Sequence, residues 1–108
     1  MRHKTCWVVG LARSGCAAGA LLRRHGARVV GVDDADEQTV HRRWEREGLS
    51  QLAPRAFDEI LTGGQWPSPA GKAAPDLVVI SPGVPTEHPR LAALPVGIPI
   101  IGELELGA

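Results

Sequence analysis

Short apolar runs alternate with a longer amphipathic stretch in the first third of the chain. Residues 5–9 and residues 28–32 are valine-containing apolar runs of strand length. Between them, small and aliphatic residues from 14 to 25 lead to Gly26, which is a natural helix C-cap. This pattern predicts a strand, a helix and a second, parallel strand, which together form one βαβ unit of about 30 residues.

The segment that follows has the spacing of a surface helix. Val40 and Trp44 are four residues apart and predict its buried face. Asp34 or Asp36 can cap the start of this helix, and Gly48 can close it. We therefore expect a helix that runs to about residue 47.

The second half of the chain contains one clear strand and several weaker signals. Residues 76–81 form a buried apolar run that stops at a Pro-Gly-Val-Pro turn. Pro89 suits the first position of a short helix that ends near residue 94. Residues 66–71 predict a loop. Two further strands are predicted at 58–62, within the irregular stretch 49–74, and at 98–101.

Alternation of strands with helices predicts an α/β fold. The strands are almost continuously hydrophobic, as in a parallel sheet that is buried on both faces. We expect a Rossmann-like three-layer sandwich with a five-stranded parallel sheet in the order 3-2-1-4-5. The 108 residues are enough for a single domain. Ligands of such sheets bind outside the carboxyl ends of the strands, which places a site at the loops 10–15, 33–36 and 81–85.

The charge balance excludes one class of partner. Twelve basic and twelve acidic residues give a formal net charge of zero, so we expect no nucleic acid and no anionic membrane as partner. The first 30 residues nevertheless carry six bases and no acid. This excess indicates either an anion site near the N-terminus or, for Arg23, Arg24 and Arg28, the basic C-terminal end of a helix.

Cysteine and hydropathy patterns indicate a cytoplasmic protein. Cys6 and Cys16 are too few for a disulfide framework and are expected to be buried thiols in a reducing compartment. The uncharged stretch 91–102 is shorter than the roughly 18 to 20 residues that a membrane span needs. The four histidines lack metal-ligand spacing, and we expect no metal site.

The segment from Gly10 to Gly15 is a G-x-A-x-x-G variant of the phosphate-binding fingerprint between a strand and a helix. Free amides at the helix start, aided by the helix dipole, can bind a diphosphate. The methyl group of Ala12 narrows the space through which a diphosphate would approach these amides. Arg13 can add a positive charge, and Ser14 can cap the helix or bind a phosphate. The alternative is a tight turn in which Gly15 serves packing only.

Two further loops supply candidate contacts. Asp33 follows Gly10 by 23 residues, where the fingerprint expects an acid that accepts hydrogen bonds from a sugar or a base. Asp33 can instead cap the next helix. The segment from Ser81 to Gly83 can bring backbone against a ligand, or it can form a simple turn.

Catalytic groups are not recognisable in this sequence. Lys72 follows a glycine, but Trp66 and Ala73 occupy positions where a P-loop needs glycine and serine or threonine. No nucleophile with a base and no acid/base pair emerges, and Glu103 and Glu105 are expected to begin a linker or a helix. We therefore expect a domain without catalytic activity of its own.

Several motifs together resemble a known family. They are VVGLARSG at 8–15, RHGARVVGVDD at 24–34, LVVISPGVP at 77–85, HP at 88–89 and GIPIIGELEL at 97–106. In this order they resemble the N-terminal domain of the Mur ligases, most closely of the branch that adds D-glutamate. The likeness spans nearly the whole chain, with a poor match at 48–74.

The resemblance implies a cytoplasmic three-domain enzyme of peptidoglycan synthesis. It would join D-glutamate to UDP-N-acetylmuramoyl-L-alanine through an ATP-derived acyl phosphate. The first domain would hold the UDP portion, with contacts at Arg13, Ser14, Asp33, Asp34 and Gly83. ATP and Mg²⁺ would bind in a central ATPase domain and the C-terminal domain that follow. Met1 and the end at residues 107–108 suggest an N-terminal fragment of such a ligase.

The expected substrate site combines the motif and the resemblance, with no catalytic residue, no metal ligand and no cofactor of its own. Its members are Gly10, Leu11, Ala12, Arg13, Ser14, Gly15, Asp33, Asp34, Ser81, Pro82 and Gly83. Two alternatives stay open. One is the NAD(P)-binding domain of an oxidoreductase, and the other is a noncatalytic Rossmann regulatory module.

Overall fold

A computed structural model describes residues 3–68, 74–85 and 87–102. Within these ranges, five strands and four helices follow in the order β1 (Thr5–Val9), α1 (Arg13–Arg24), β2 (Arg28–Val32), α2 (Glu37–Glu47), α3 (Ala53–Ala56), β3 (Glu59–Leu61), β4 (Leu77–Ile80), α4 (Pro89–Ala92) and β5 (Ile100–Gly102). All strand pairs are parallel, and the order across the sheet is β3-β2-β1-β4-β5. The expected α/β Rossmann-like sheet is confirmed.

The sheet winds in two directions from its central strand. The crossovers from β1 to β3 place α1, α2 and α3 on one face, where Cys6, Val8 and Val79 point into the core. The crossover from β4 to β5 places α4 on the other face, which Trp7 and Val78 line. The winding direction reverses between β1 and β4, so a crevice opens at their carboxyl ends.

Helix boundaries follow the expected capping signals. Gly26, at φ +86°, closes α1, and the Ala27 N–H donates to the Leu22 carbonyl at 3.1 Å, as in a Schellman motif. The Asp36 carboxylate caps α2 by accepting from the Thr39 N–H at 2.7 Å. Of the two candidate caps 34 and 36, the second is therefore correct, and the alternative that Asp33 caps α2 is wrong.

The stretch 49–74 contains a helical turn that the sequence does not predict. Helix α3 presents Ala53 and Ala56 to the core, and both are fully buried. Phe57 then packs against α1 and β2, where a Cβ built on Gly19 would lie only 2.6 Å from the Phe57 ring. The strand expected at 58–62 is present, as β3, but α3 depends on this tertiary packing.

Some expectations fall outside the described residues. The predicted loop 66–71 is observed as irregular structure as far as residue 68. Residues 69–73, which include the Gly-Lys pair of the rejected P-loop, lie outside the described ranges, as do Glu103 and Glu105. None of the described helices is both long enough and apolar enough to cross a membrane.

The two thiols are buried, as the sequence predicts. Cys6 and Cys16 are free cysteines with no exposed surface. Burial, as the largest cause, raises the pKa of each thiol to about 11. Because the thiolate is the reactive form, both thiols are protonated and unreactive at neutral pH.

Candidate functional site

A cavity of about 140 Å³ lies at the carboxyl ends of β1, β2 and β4. The three loops that the sequence singles out meet there. The lining residues are Val9, Gly10, Asp33, Asp34, Gly83, Val84, Pro85 and His88. Four members of the expected site therefore share one cavity, whereas Arg13 and Ser14 lie on the neighbouring first turn of α1.

The glycine loop requires glycine at two positions, at Gly10 for the backbone conformation and at Gly15 for space. Gly10 has φ +96°, and its N–H donates to the Val32 carbonyl at 2.8 Å. The Ser81 hydroxyl donates to the Gly10 carbonyl at 3.1 Å, which ties the third loop to the first. A Cβ on Gly15 would lie 1.9 Å from the Gly10 oxygen, so Gly15 is required for packing. This confirms its packing role and leaves phosphate binding as a prediction.

Leu11 supports the loop from inside the protein. Its side chain is fully buried. Its N–H donates to Asp33 Oδ2 at 2.9 Å, and its carbonyl accepts from Trp44 Nε1 at 2.8 Å. Both polar groups of this residue are therefore already satisfied within the protein. Leu11 is therefore an expected site residue whose side chain the structure places in the hydrophobic core.

The start of α1 has the features of an anion site. Its N-cap is Ala12, which offers no side-chain acceptor, and no acidic residue lies in the first turn. Ser14 is in that turn and exposed, so it does not cap the helix. Arg13 is also exposed, and its guanidinium donates to the Glu47 carbonyl at 3.3 Å. The first-turn amides lack a side-chain cap at the positive end of the helix dipole.

Asp33 connects three elements around the site. Its carboxylate accepts from the N–H of Leu11 at 2.9 Å and from the N–H of Ala35 at 2.9 Å. Arg43 Nη1 donates to Asp33 Oδ2 at 2.7 Å. Asp33 is 8% exposed and is the one charged residue that is buried among the described residues. These contacts give Asp33 a structural role, and a contact with the sugar or the base of a ligand stays a prediction.

Asp34 is held by two aromatic side chains that the sequence does not mark as part of the site. Trp66 Nε1 donates to Asp34 Oδ1 at 2.8 Å. His88 Nδ1 accepts from the Arg90 N–H at 3.1 Å, so His88 Nε2 carries the proton and donates to Asp34 Oδ2 at 2.7 Å. The rings of Trp66 and His88 are stacked, with centroids 4.8 Å apart. The only sequence signal was the His-Pro pair, which is typical of a helix start.

Hydrogen bonding keeps Asp34 ionised. The bond from Trp66 and, to a smaller extent, the bond from His88 lower the pKa of this carboxyl below its usual value. The folded state therefore favours the carboxylate. Its stabilising contribution is fully present above the ordinary aspartate pKa and is lost as the pH falls through the lowered value. The Asp34 side chain is 54% exposed, so solvent limits the size of this contribution.

We expect the indole N–H resonance of Trp66 to show a titration step from Asp34 at pH values below the ordinary aspartate range. Its acceptor loses charge there, whereas Trp44 donates to a backbone carbonyl that does not titrate. NMR of the two indole protons between neutral pH and the acid limit of folding measures this. The transition should vanish in Asp34→Asn. A midpoint at or above the ordinary aspartate pKa would contradict the assignment.

Arg23 and Arg28 lie near the amino ends of the strands, away from the cavity. Arg23 pairs with Asp58 at 3.2 Å and donates to the Arg55 carbonyl at 2.6 Å. Arg28 lies 3.9 Å from Glu59. This favours the helix-end interpretation of the charge excess for Arg23 and Arg24, which lie in the last turn of α1, whereas Arg28 lies in β2. Among the described residues, no group of three or more histidine, cysteine, aspartate or glutamate side chains could hold a metal ion.

Comparison with known proteins gives a consistent set of relatives. No protein-family model matches the chain. It is similar to three proteins named UDP-N-acetylmuramoylalanine–D-glutamate ligase. The protein from Trichlorobacter lovleyi is 38% identical over 109 residues, covering 100% of this chain and 23% of the relative. That from Geobacter metallireducens is 41% identical over 106 residues, covering 97% and 22%. That from Trichormus variabilis is 40% identical over 100 residues, covering 92% and 20%. The chain spans about a fifth of the length of these curated relatives.

Proposed function

The chain belongs to the family of UDP-N-acetylmuramoylalanine–D-glutamate ligases, and on that premise we propose that it binds the UDP portion of UDP-N-acetylmuramoyl-L-alanine. Residues 1–108 would form one nucleotide-binding domain of a longer ligase. That ligase would add D-glutamate to its substrate in the cytoplasm, during peptidoglycan synthesis. The proposal assigns no catalytic residue to this chain.

The uncapped start of α1 beside the cavity is the observation that carries the proposal. Arg13 and Ser14 lie in this first turn, whose amides suit a diphosphate. The adjoining cavity of about 140 Å³ is smaller than the 300 to 1,000 Å³ typical of whole-ligand pockets. It therefore suits one part of a nucleotide, such as the base. Asp34, Gly83 and the backbone of Ser81 and Pro82 are the groups proposed to border that part.

ATP and Mg²⁺ are assigned to other parts of the proposed ligase. Magnesium in ATP-dependent enzymes is usually held by one or two carboxylates together with substrate phosphates. The carboxylates at the described site, Asp33 and Asp34, are both engaged by protein donors. They do not fit a magnesium site, and we derive no reaction step through ATP for this chain.

The test is an NMR titration of the chain with UDP-N-acetylmuramoyl-L-alanine and, separately, with NAD. We expect the UDP ligand to bind more tightly than NAD, with shifts at residues 10–15, at Asp33 and at Gly83. Affinity in the millimolar range is sufficient, because other domains would complete the pocket. Tighter binding of NAD would favour the oxidoreductase alternative. Shifts elsewhere, or no binding of either ligand, would contradict the proposal and favour a regulatory module.

A further inference from the structure

Two adjacent side chains of helix α2 hold the glycine loop at Leu11, Trp44 directly and Arg43 through Asp33. Arg43 Nη1 lies 2.7 Å from Asp33 Oδ2, the same oxygen that accepts from the Leu11 N–H. Trp44 Nε1 donates to the carbonyl of the same leucine at 2.8 Å. The two peptide groups that flank the Leu11 Cα are therefore both fixed, one by its N–H and the other by its carbonyl. The Trp44 contact is neutral, whereas the Arg43 contact also carries charge.

That charge matters because of where Asp33 lies. Its side chain is only 10% exposed, and it bonds directly to the loop that precedes the α1 amides. An uncompensated carboxylate there would repel a diphosphate at the helix start. Repulsion between unit charges several ångströms apart, at an effective dielectric constant of about 20, corresponds to roughly tenfold or more in affinity. The Arg43 guanidinium, 23% exposed, supplies the compensating charge.

Arg13, the cation that the sequence places in the loop, does not serve this purpose. Its side chain is exposed, and its guanidinium bonds to the Glu47 carbonyl at the end of α2. Arg43, by contrast, is partly buried and bonds to the carboxylate itself. Sequence spacing gives no indication of Arg43, because its partner is ten residues away across a loop and a helix cap.

We propose that Arg43 is a positioning residue of the nucleotide site. It neutralises Asp33 and holds the carboxylate on the Leu11 N–H, so that the loop keeps its shape without a net negative charge beside the bound diphosphate. This inference rests on the proposed function, because it concerns the same site. It predicts that substitution of Arg43 lowers the affinity of the site for charged ligands far more than its affinity for uncharged ones.

The experiment compares UDP with uridine, which shares the base and the ribose but carries no phosphate. NMR titrations of the chain give both affinities for the wild type, Arg43→Met and Arg43→Lys. In Arg43→Met we expect UDP affinity to fall about tenfold or more and uridine affinity to change less than about threefold. Arg43→Lys should recover most of the UDP affinity. Arg46→Met, an exposed arginine on the same helix, is the matched control and should leave both affinities unchanged.

A double variant separates the charge effect from a folding defect. Asp33→Asn combined with Arg43→Met removes both charges, so no unpaired buried charge remains. Its ratio of UDP to uridine affinity should return close to the wild-type ratio, even if Arg43→Met alone does not fold. Equal losses for UDP and uridine in Arg43→Met, or a low ratio in the double variant, would overturn the inference. Failure of the wild type to bind either ligand would overturn the proposed function and the inference with it.

Discussion

Asp33→Ala is expected to destabilise the protein by about 3 to 5 kcal/mol, the usual cost of removing one partner of a buried ion pair. The substitution leaves the Arg43 guanidinium without its counter-charge at a partly buried position. It also removes the acceptor of the Leu11 and Ala35 N–H groups. Because small domains are stable by only about 5 to 15 kcal/mol, this loss is a large fraction of the total. Urea unfolding at neutral pH measures it.

Asp36→Ala is the matched control for this substitution. Asp36 is exposed and its carboxylate accepts from Thr39 at the start of α2, so its removal should cost about 1 kcal/mol, as for an ordinary helix cap. Asp33→Ala should also weaken uridine-nucleotide binding more than Asp36→Ala does, because only the first disturbs the glycine loop. Equal effects of the two substitutions on unfolding would show that the Asp33 contacts contribute no more than an ordinary helix cap.

The sheet could be predicted from the sequence because its strands are defined by local signals. Strands β1 and β2 are short apolar runs in the sequence. Gly10 follows the end of β1, and Gly26 follows the end of α1. Chirality then restricts the order in which parallel strands can be connected. Helix α3 was missed because its four residues, Ala-Pro-Arg-Ala, have no amphipathic period. It forms because the small residues of α1 allow α3 and Phe57 to pack closely against that helix.

Candidate site residues could be predicted only where chemistry follows chain spacing. The glycine loop and Asp33 were found in this way. His88 and Trp66 were not, because they meet Asp34 across separations of 54 and 32 residues. In the sequence Arg43 resembles any exposed arginine of an amphipathic helix, and only the fold shows its contact with Asp33. Long-range pairs of this kind depend on the packed fold and leave no periodic pattern.

Gly15→Ala is expected to disrupt the glycine loop directly. The added Cβ would lie 1.9 Å from the Gly10 oxygen, which is backbone and cannot rotate away. Gly10 is itself held by its bond to the Val32 carbonyl and by the Ser81 hydroxyl. Relief therefore requires α1 to move away from β1, which separates packed core residues. Overpacking of a core usually costs about 1 to 3 kcal/mol. Because the clash here is with backbone, we expect Gly15→Ala to lower the free energy of unfolding by more than about 3 kcal/mol.

Gly83→Ala tests whether this effect belongs to position 15 or to any glycine near the cavity. A Cβ on Gly83 meets nothing within 4 Å, and Gly83 is not among the glycines with positive φ. Its substitution should change the free energy of unfolding by less than about 0.5 kcal/mol. Urea unfolding of both variants, with amide spectra of residues 10–15, measures the difference. A Gly15→Ala protein with the wild-type unfolding midpoint would mean that α1 can shift without cost, and that the close approach of α1 to the Gly10 carbonyl does not fix the geometry of the anion site.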